Sequence, residues 1–144
     1  MRYKLSDNSI LNISICDVQG QEMFRALYET YYKKSDCIIL VYDISDRESF
    51  ELCKTYFCET IKEKCKNDIK VILVGNKIDL ENKREVSYEE GDNFAFLNNW
   101  LFIEASCLKN INVYETFKKV IEMSLDKTKK YHRNKSHLTK TTNF

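Results

Sequence analysis

The chain of 144 residues fits one compact domain, and it contains three glycines, no proline and six cysteines. Its net charge is +1, but six basic residues and no acidic residue follow Asp126, which leaves −5 for residues 1–126 and makes the tail basic. No apolar run approaches the ~20 residues of a transmembrane helix, and the first residues lack a secretory pattern, so we expect a cytoplasmic protein. We also expect no nucleic-acid partner.

A β-hairpin is the first predicted element. Leu11, Ile13 and Ile15 alternate with polar residues, which is the period of a half-buried strand, and residues 6–9 before them have turn chemistry. We expect residues 3–16 to form this hairpin. Three later runs are short and continuously apolar, as expected of parallel strands covered on both faces: Cys37–Tyr42, Val71–Val74 and Leu101–Ile103.

Helical patterns alternate with these apolar runs. Apolar residues repeat at three-and-four spacing over Phe50–Ile61 and over Val113–Leu125, which predicts a helix at each place. Ser45 and Ser87 each precede a glutamate by three residues, which predicts a capping box at two helix starts. Strands that alternate with helices predict a right-handed, mostly parallel α/β sheet, whose ligand lies beyond the carboxyl ends of the strands.

Three loops at that predicted edge carry residues suited to chemistry. The loop after the hairpin reads Asp17-Val18-Gln19-Gly20-Gln21-Glu22, the loop after Val74 reads Gly75-Asn76-Lys77-Ile78-Asp79, and Glu104-Ala105-Ser106 follows the last strand. In order and spacing they resemble the DxxGQ, NKxD and ExSAK motifs of Rab-type small GTPases of the Ras superfamily. The resemblance covers roughly residues 3–125.

The sequence segments around these motifs are also similar to those of Rab proteins. It includes Phe24-Arg25, Tyr31-Tyr32, Ile39–Ile44 and Arg84-Glu85-Val86. Within the Rabs, Leu73–Asp79 and Leu101–Ser106 look most like the branch associated with lipid droplets and the endoplasmic reticulum. The resemblance implies a three-layer, Ras-like P-loop NTPase fold and a small-GTPase domain over residues 1–126.

The same resemblance implies a guanine site. Asp79 would accept hydrogen bonds from the ring N–H and the exocyclic amine of guanine, a donor pair that adenine does not present. Asn76 would brace the base and the loops, and the Lys77 stem would cover one face of the ring. Ser106 and the backbone N–H of Cys107 would complete the pocket.

Roles in hydrolysis also follow from the resemblance. Asp17 would reach Mg²⁺ through water, Gly20 would donate its N–H to the γ-phosphate of GTP, and Gln21 would orient the attacking water. The implied partners are Rab effectors, exchange factors and GTPase-activating proteins. The candidates for the nucleotide-sensitive switch that effectors contact are Phe24, Arg25, Tyr31 and Tyr32.

Each motif also has a plainer interpretation. An NKxD sequence after a strand can be a polar turn, Asp17 and Gln21 can be loop polar groups, and Ser106 can cap the last helix. The switch aromatics can serve packing. Cysteines such as Cys53 sit in apolar stretches without a CxxC pair, which predicts reduced thiols rather than zinc or disulfides.

The sequence departs from the family pattern at several places. A phosphate-binding loop, GxxxxGK[ST], needs two glycines before a lysine, and Gly20, Gly75 and Gly91 do not supply it. Alignment to the Rab pattern places Met1 inside the second strand, so the first strand, which normally lies mid-sheet, the P-loop and the first helix are expected to be missing. Leu108 stands where the family has a lysine, which keeps an apolar cover for the base and loses the charge.

The basic tail is expected to be a disordered segment over residues 127–144. Its alternative is a lipid-binding patch, but six charges without an apolar anchor or a prenylatable cysteine predict membrane association that is at most weak or peripheral on endomembranes.

Two hypotheses remain open at this point. The first is a Rab-like GTPase of vesicle traffic that binds GTP, GDP and Mg²⁺ and whose sequence here is incomplete at its N-terminus. The second is a non-catalytic Rab-like interaction module that has lost phosphate binding.

Overall fold

The computed structural model of the chain describes residues 2–4, 8, 10–18 and 31–138. Strands and helices alternate along most of this length, which confirms the α/β class. In chain order the elements are β1 (Arg2–Lys4), β2 (Ile10–Asn12), β3 (Cys37–Asp43), α1 (Arg47–Leu52), a π-helical segment (Cys53–Phe57), α2 (Cys58–Lys64), β4 (Lys70–Asn76), a 3₁₀ segment (Ile78–Lys83), α3 (Tyr88–Leu97), β5 (Leu101–Glu104) and α4 (Val113–Leu138).

The main sheet has three parallel strands in the order β3-β4-β5. Cys37 of β3 pairs with Lys70 of β4, and Ile72 of β4 pairs with Leu101 of β5. Residues 71–74 of β4 are all buried, as a strand covered on both faces requires. The three apolar runs of the sequence are therefore confirmed as the strands of this sheet.

Helices cover both faces of the sheet with separate apolar clusters. On one face, Leu40 and Leu73 of the strands pack with Phe50 and Ile61 from the segment that spans α1 to α2. On the other, Ile72, Val74 and Ala105 form a smaller cluster with Val120 and Met123 of α4 against it. This three-layer arrangement is that of a Ras-like P-loop NTPase fold.

The predicted hairpin is present but shorter than expected. Arg2 pairs with Asn12 and Lys4 with Ile10 in an antiparallel pair. Residues 13–18 follow as irregular structure and not as a strand, so the alternating pattern up to Ile15 overestimated β2. Within the described residues this pair forms a sheet of its own and is not joined to the parallel sheet.

The two predicted capping boxes have different outcomes. At α3, the Ser87 hydroxyl accepts from the Glu90 N–H at 3.2 Å and the Glu90 carboxylate accepts from the Ser87 N–H at 3.0 Å, as predicted. At α1 the cap is Asp46 and not Ser45, because Asp46 Oδ1 accepts from the backbone N–H groups of Glu48 and Ser49. Ser45 instead donates its N–H and its hydroxyl to Asp43.

The last helix is longer than the sequence suggested. Its backbone is helical through Leu138, although disorder was expected from residue 127. Lysine and arginine are good helix formers, and neither glycine nor proline interrupts residues 113–138, so charge alone does not end the helix. The expectation of disorder is corrected for residues 127–138, and a domain boundary at residue 126 stays a prediction.

Candidate functional site

Two of the three predicted loops meet at the carboxyl edge of the parallel sheet. Asn76 ends β4 and Glu104 ends β5, so the residues after them lie side by side. The Cys107 N–H donates to Asn76 Oδ1 at 3.2 Å, and the Ile78 N–H donates to the Ala105 carbonyl at 3.2 Å. The loop after β4 and the loop after β5 are thereby connected by side chain and backbone.

Ser106 is the centre of this connection. It is fully buried, and its hydroxyl donates to the Asp79 carboxylate while accepting from the Lys109 N–H at 3.0 Å. Its backbone also pairs with Ile111 in an antiparallel bridge. A buried serine with its backbone and hydroxyl all engaged fixes the position of one Asp79 oxygen. Asp79 itself is only partly buried and keeps a second oxygen for a ligand.

Lys77 adopts a left-handed conformation, with φ at 67°, that an L-residue adopts at a cost. Its ammonium forms an ion pair with Asp43 at the end of β3, with Nζ to Oδ2 at 2.6 Å. Burial disfavours ionisation of Asp43, but hydrogen bonds from Lys77 and Ser45 outweigh this, so the pKa of Asp43 lies below its ordinary value. The same bond and charge raise the pKa of Lys77.

A guanidinium joins the 3₁₀ segment to the end of β5. Arg84 donates to both oxygens of Glu104, at 2.6 and 2.9 Å, and to both oxygens of Glu81, at 2.8 and 2.7 Å. The Val86 carbonyl accepts a further bond at 2.9 Å. All five guanidinium N–H groups are therefore engaged. Hydrogen bonds to Glu104 and Glu81 raise the pKa of Arg84. The same bonds fix the position of Glu104, two residues before Ser106.

The remaining members of the predicted base pocket lie at its surface. The Cys107 side chain is exposed, and Leu108 is 83% exposed. The Cys107 N–H, which was expected to face the base, donates to Asn76 instead. Because most of the Leu108 side chain is exposed, a planar ligand above the loop could contact it.

Residues predicted for phosphate, metal and effector contacts are not part of this cluster. Asp17 is exposed in the segment after β2, and among the described residues no hydrogen bond joins it to Asp79, Asn76 or Ser106. Tyr31 is 50% exposed and its carbonyl accepts from Ser35, and Tyr32 is half-buried. Outside the described residues lie Gly20, Gln21, Phe24 and Arg25.

Comparison with known proteins decides the family. Residues 2–126 match the family described as the Ras family, which is most of the chain. The chain belongs to the Ras family. Its curated relatives include several Rab and Ypt proteins, so within that family it is a Rab-type small GTPase sequence. The branch associated with lipid droplets stays a prediction.

Three relatives illustrate the extent of the similarity. Rab-2B of Dictyostelium discoideum is 39% identical over 118 residues, which cover 81% of this chain and 57% of that protein. YPT1 of Saccharomyces cerevisiae is 40% identical over 111 residues, 77% of this chain and 53% of that protein. Ras-like protein 1 of the same yeast is 36% identical over 135 residues, 94% and 44% respectively. The chain thus spans about half the length of the curated relatives it matches.

Sequence reasoning missed two residues that shape the site. Asp43 could have been found, because it ends an apolar strand at the same edge as Asn76. The Arg84 clamp had a weaker signal, since its two acidic partners are 3 and 20 residues away and only the fold brings Glu104 near. No helix in the described part of the chain is both long and apolar enough to cross a membrane.

Proposed function

We propose that the complete protein binds guanine nucleotides and hydrolyses GTP as a switch in vesicle traffic. The observation that carries the proposal is the cluster of Asp79, Ser106 and Asn76 at the carboxyl edge of the sheet. Parallel α/β folds bind their ligands at that edge. The proposal includes regulators and effectors of the Rab type as partners.

The chemistry of this cluster suits guanine. Ser106 donates to one Asp79 oxygen and leaves lone pairs on both, so the carboxylate can accept from the ring N–H and the exocyclic amine of the base, one at each oxygen. Adenine lacks that donor pair, so the carboxylate discriminates between the bases. Lys77 and Leu108 lie on the same loops, are both exposed, and would cover the faces of the ring.

The proposal includes Mg²⁺ and the hydrolytic step. No group of three or more potential metal ligands occurs within the described residues, and Asp17 is a single carboxylate. Mg²⁺ at nucleotide sites is held by one or two protein groups and the phosphates, so Asp17 alone does not make a site without nucleotide. Gln21 is proposed to orient the attacking water, and Gly20 to donate to the γ-phosphate.

The sheet favours a further strand and helix on chain outside this sequence. In the described part, β3 is an edge strand of the parallel sheet, and the β1–β2 pair is a separate sheet. Val41, in the middle of β3, is 51% exposed although parallel strands normally have both faces covered. We propose that a segment carrying the P-loop occupies the space beside β3.

A pseudo-GTPase is the second candidate. The observation that favours it is the sequence itself, which holds guanine-site residues without the glycines of a P-loop. In that case Asn76, Asp79 and Ser106 would serve as a scaffold for protein interactions, and no upstream segment would restore nucleotide binding.

The test is to extend the protein with the coding sequence upstream of Met1 and measure GTP binding and turnover. An in-frame GxxxxGK[ST] that restores GTP affinity supports the GTPase. Absence of such a segment, including across splice junctions, or an extended protein that binds no GTP, supports the pseudo-GTPase.

Two variants of the extended protein assign the residues. Asp79→Asn should weaken GTP and gain xanthosine triphosphate, because the amide inverts the acceptor pattern, while the surface control Asp92→Asn leaves both affinities unchanged. Gln21→Leu should slow hydrolysis and spare binding, because this side chain acts on water. Unchanged base preference in Asp79→Asn would remove Asp79 from the base site.

A further inference from the structure

A second concave site lies at the opposite end of the sheet from the guanine cluster. Lys70 and Leu101 begin β4 and β5, whereas Asn76 and Glu104 end them, and the strands are parallel. The pocket at the starting end has a volume of about 440 Å³. Its lining comes from the end of α2, the following turn and the turn after α3.

Three lysines dominate the charge of this pocket. Lys62, Lys66 and Lys70 all line it and are exposed. Within the described residues none of the three forms an ion pair. The one carboxylate among the lining residues, Asp68, is already engaged in another interaction. The lining therefore holds three lysines and one aspartate, in a body that carries −5 overall.

Helix capping explains only part of this arrangement. Lys62 lies in the last turn of α2, where a cation stabilises the negative end of the helix dipole. Lys66 lies beyond the cap residue Cys65, and Lys70 is the first residue of β4. Neither lysine belongs to a helix, so their placement around the pocket has no capping role.

The walls of the pocket are preformed. Cys58 Sγ lies 3.3 Å from Asn98 Oδ1, and the Asn98 amide donates to the Phe94 carbonyl at 2.8 Å. The Trp100 ring packs edge-on against the Phe94 ring, with ring centroids 5.6 Å apart. The backbone N–H of Trp100 donates to the Ala95 carbonyl at 2.9 Å. The turn after α2 is closed by a bond from Ile69 to Lys66.

Apolar side chains also line the pocket, namely those of Ile61, Ile69 and Trp100. Phe96 and Leu97, directly before the Asn98–Trp100 turn, are each 77% exposed, and Leu101, directly after it, is 43% exposed. A pocket lined by both charged and apolar side chains suits a ligand that presents both kinds of group. The ligand should therefore carry negative charge and an apolar group together.

We propose that this pocket binds an acidic segment of a partner protein, with carboxylates at Lys62, Lys66 and Lys70 and an apolar side chain against Trp100. Charge complementarity favours an anionic partner. The three lysines come from the last turn of α2, the turn after it and the first residue of β4, and Trp100 comes from the turn after α3. An extended peptide can contact all of these segments, whereas a single compact phosphate would leave some of them unused. The proposal does not depend on guanine binding, because the two sites are at opposite ends of the sheet.

Trp100 provides a direct readout, because it is the single tryptophan of the chain. The probe is a capped peptide of four glutamates around one phenylalanine, with a counterpart that has glutamine in place of glutamate. We expect the acidic peptide to change Trp100 fluorescence saturably and its affinity to fall as salt is raised through the range where the Debye length shrinks to about 8 Å. The glutamine peptide should bind at least about fivefold more weakly, since it lacks the charges.

Matched variants locate the site. The triple variant Lys62→Gln, Lys66→Gln and Lys70→Gln should bind the acidic peptide at least about fivefold more weakly. The control, Lys34→Gln, Lys83→Gln and Lys109→Gln, has the same net charge and should bind like the parent protein. The reversal of the three pocket lysines to glutamate should create affinity for a capped peptide of four lysines around one phenylalanine. Circular dichroism checks that each variant is folded.

Four results would overturn the proposal. They are equal binding by the two triple glutamine variants, peptide binding without a change at Trp100, tighter binding of inositol hexakisphosphate than of the peptide, and binding to phosphatidylserine vesicles but not to the peptide. The last two would reassign the pocket to phosphate groups or to a membrane surface.

Discussion

Tyr42 places a hydroxyl in the core that has no hydrogen-bond partner among the described residues. The residue is 2% exposed, and its ring packs on Phe50 with centroids 4.8 Å apart. A Cβ at Gly75 would lie 2.8 Å from this hydroxyl and one at Gly91 only 2.5 Å, so both glycines make room for it. Burial first and the nearby Glu104 charge second raise the pKa of Tyr42, so it stays neutral at all physiological pH.

Tyr42→Phe should stabilise the protein. The change removes a buried donor that has lost its water and keeps the ring, so the free energy of unfolding should rise by about 0.5–2 kcal/mol. Urea denaturation measures the effect, and Tyr88→Phe, whose side chain is half exposed, is the control with little change expected. A loss of stability in Tyr42→Phe would mean that the hydroxyl is bonded after all.

Glu90 makes a small part of the stability depend on pH. Its pKa is lowered to about 2 by a hydrogen bond from Arg47 and a further bond from the Ser87 N–H. A lowered folded pKa gives stability that is present above the unfolded value near 4.5 and is lost as pH falls toward 2. Because the side chain is 44% exposed, solvent screening keeps the contribution below about 1 kcal/mol.

Glu90→Gln tests this dependence. At neutral pH and low salt the variant should be less stable than the parent, and the difference should shrink between pH 5 and pH 2 as Glu90 of the parent is protonated. Glu89→Gln makes the same charge change in the same first turn of α3 and serves as the control. A difference that is constant with pH, or equal in the control, would contradict the assignment to Glu90.

At the scale of elements, the Arg84 clamp is the firmest link between the 3₁₀ segment and β5. Arg84 and Glu104 are 18% and 13% exposed, so their bidentate pair is shielded from water. Lysine offers a single ammonium and cannot reproduce the fork of five donors. Arg84→Lys should therefore lower the free energy of unfolding by about 1–3 kcal/mol, measured by urea denaturation.

A double-mutant cycle with Glu104→Gln isolates the pair, and the coupling energy should exceed about 0.5 kcal/mol. Arg47→Lys is the matched control, because Arg47 also forms a bidentate pair, with Glu90, but is 38% exposed. Its loss should be smaller than that of Arg84→Lys. Equal losses, or additive effects of Arg84→Lys and Glu104→Gln, would show that the clamp adds nothing beyond packing.

The elements also show where sequence reasoning succeeds. Short apolar runs predicted β3, β4 and β5 because their burial depends on composition alone. The sequence analysis was wrong to name Ser45 as the helix cap, because the cap is Asp46 and Ser45 hydrogen-bonds to Asp43 two residues before it. Sequence spacing did not reveal the Arg84–Glu104 pair, because only the fold brings these two residues together. Asp79 and Ser106, both named from motif spacing, do form a hydrogen bond, and their role in binding a base stays a prediction.

At the scale of the whole molecule, the residues proposed for base recognition and those proposed for phosphate contacts lie on separate parts of the described structure. Asp79, Ser106 and Asn76 are held by the parallel sheet, whose three strands are all in this sequence. Residues expected to meet the phosphates follow the β1–β2 pair, which is not hydrogen-bonded to that sheet in the described part. The proposal therefore allows the base site to form without the phosphate site.

The chain as it stands should bind GTP with millimolar affinity or weaker. In this family, P-loop amides, a lysine and Mg²⁺ stabilise the negative charge of the triphosphate. We expect that in this chain the triphosphate is left to water and is repelled by the negative Asp17. A few base hydrogen bonds, each worth about 0.5–3 kcal/mol, must offset an association entropy of several kcal/mol.

Calorimetric titration of the folded chain with GTP at magnesium excess measures this affinity, and guanosine is the matched ligand. If only the base is recognised, guanosine should bind at least as well as GTP, because it has no phosphates to be repelled. Asp79→Asn should weaken both ligands to the same degree. A micromolar dissociation constant for GTP, with guanosine far weaker, would show instead that another group on this chain replaces the P-loop.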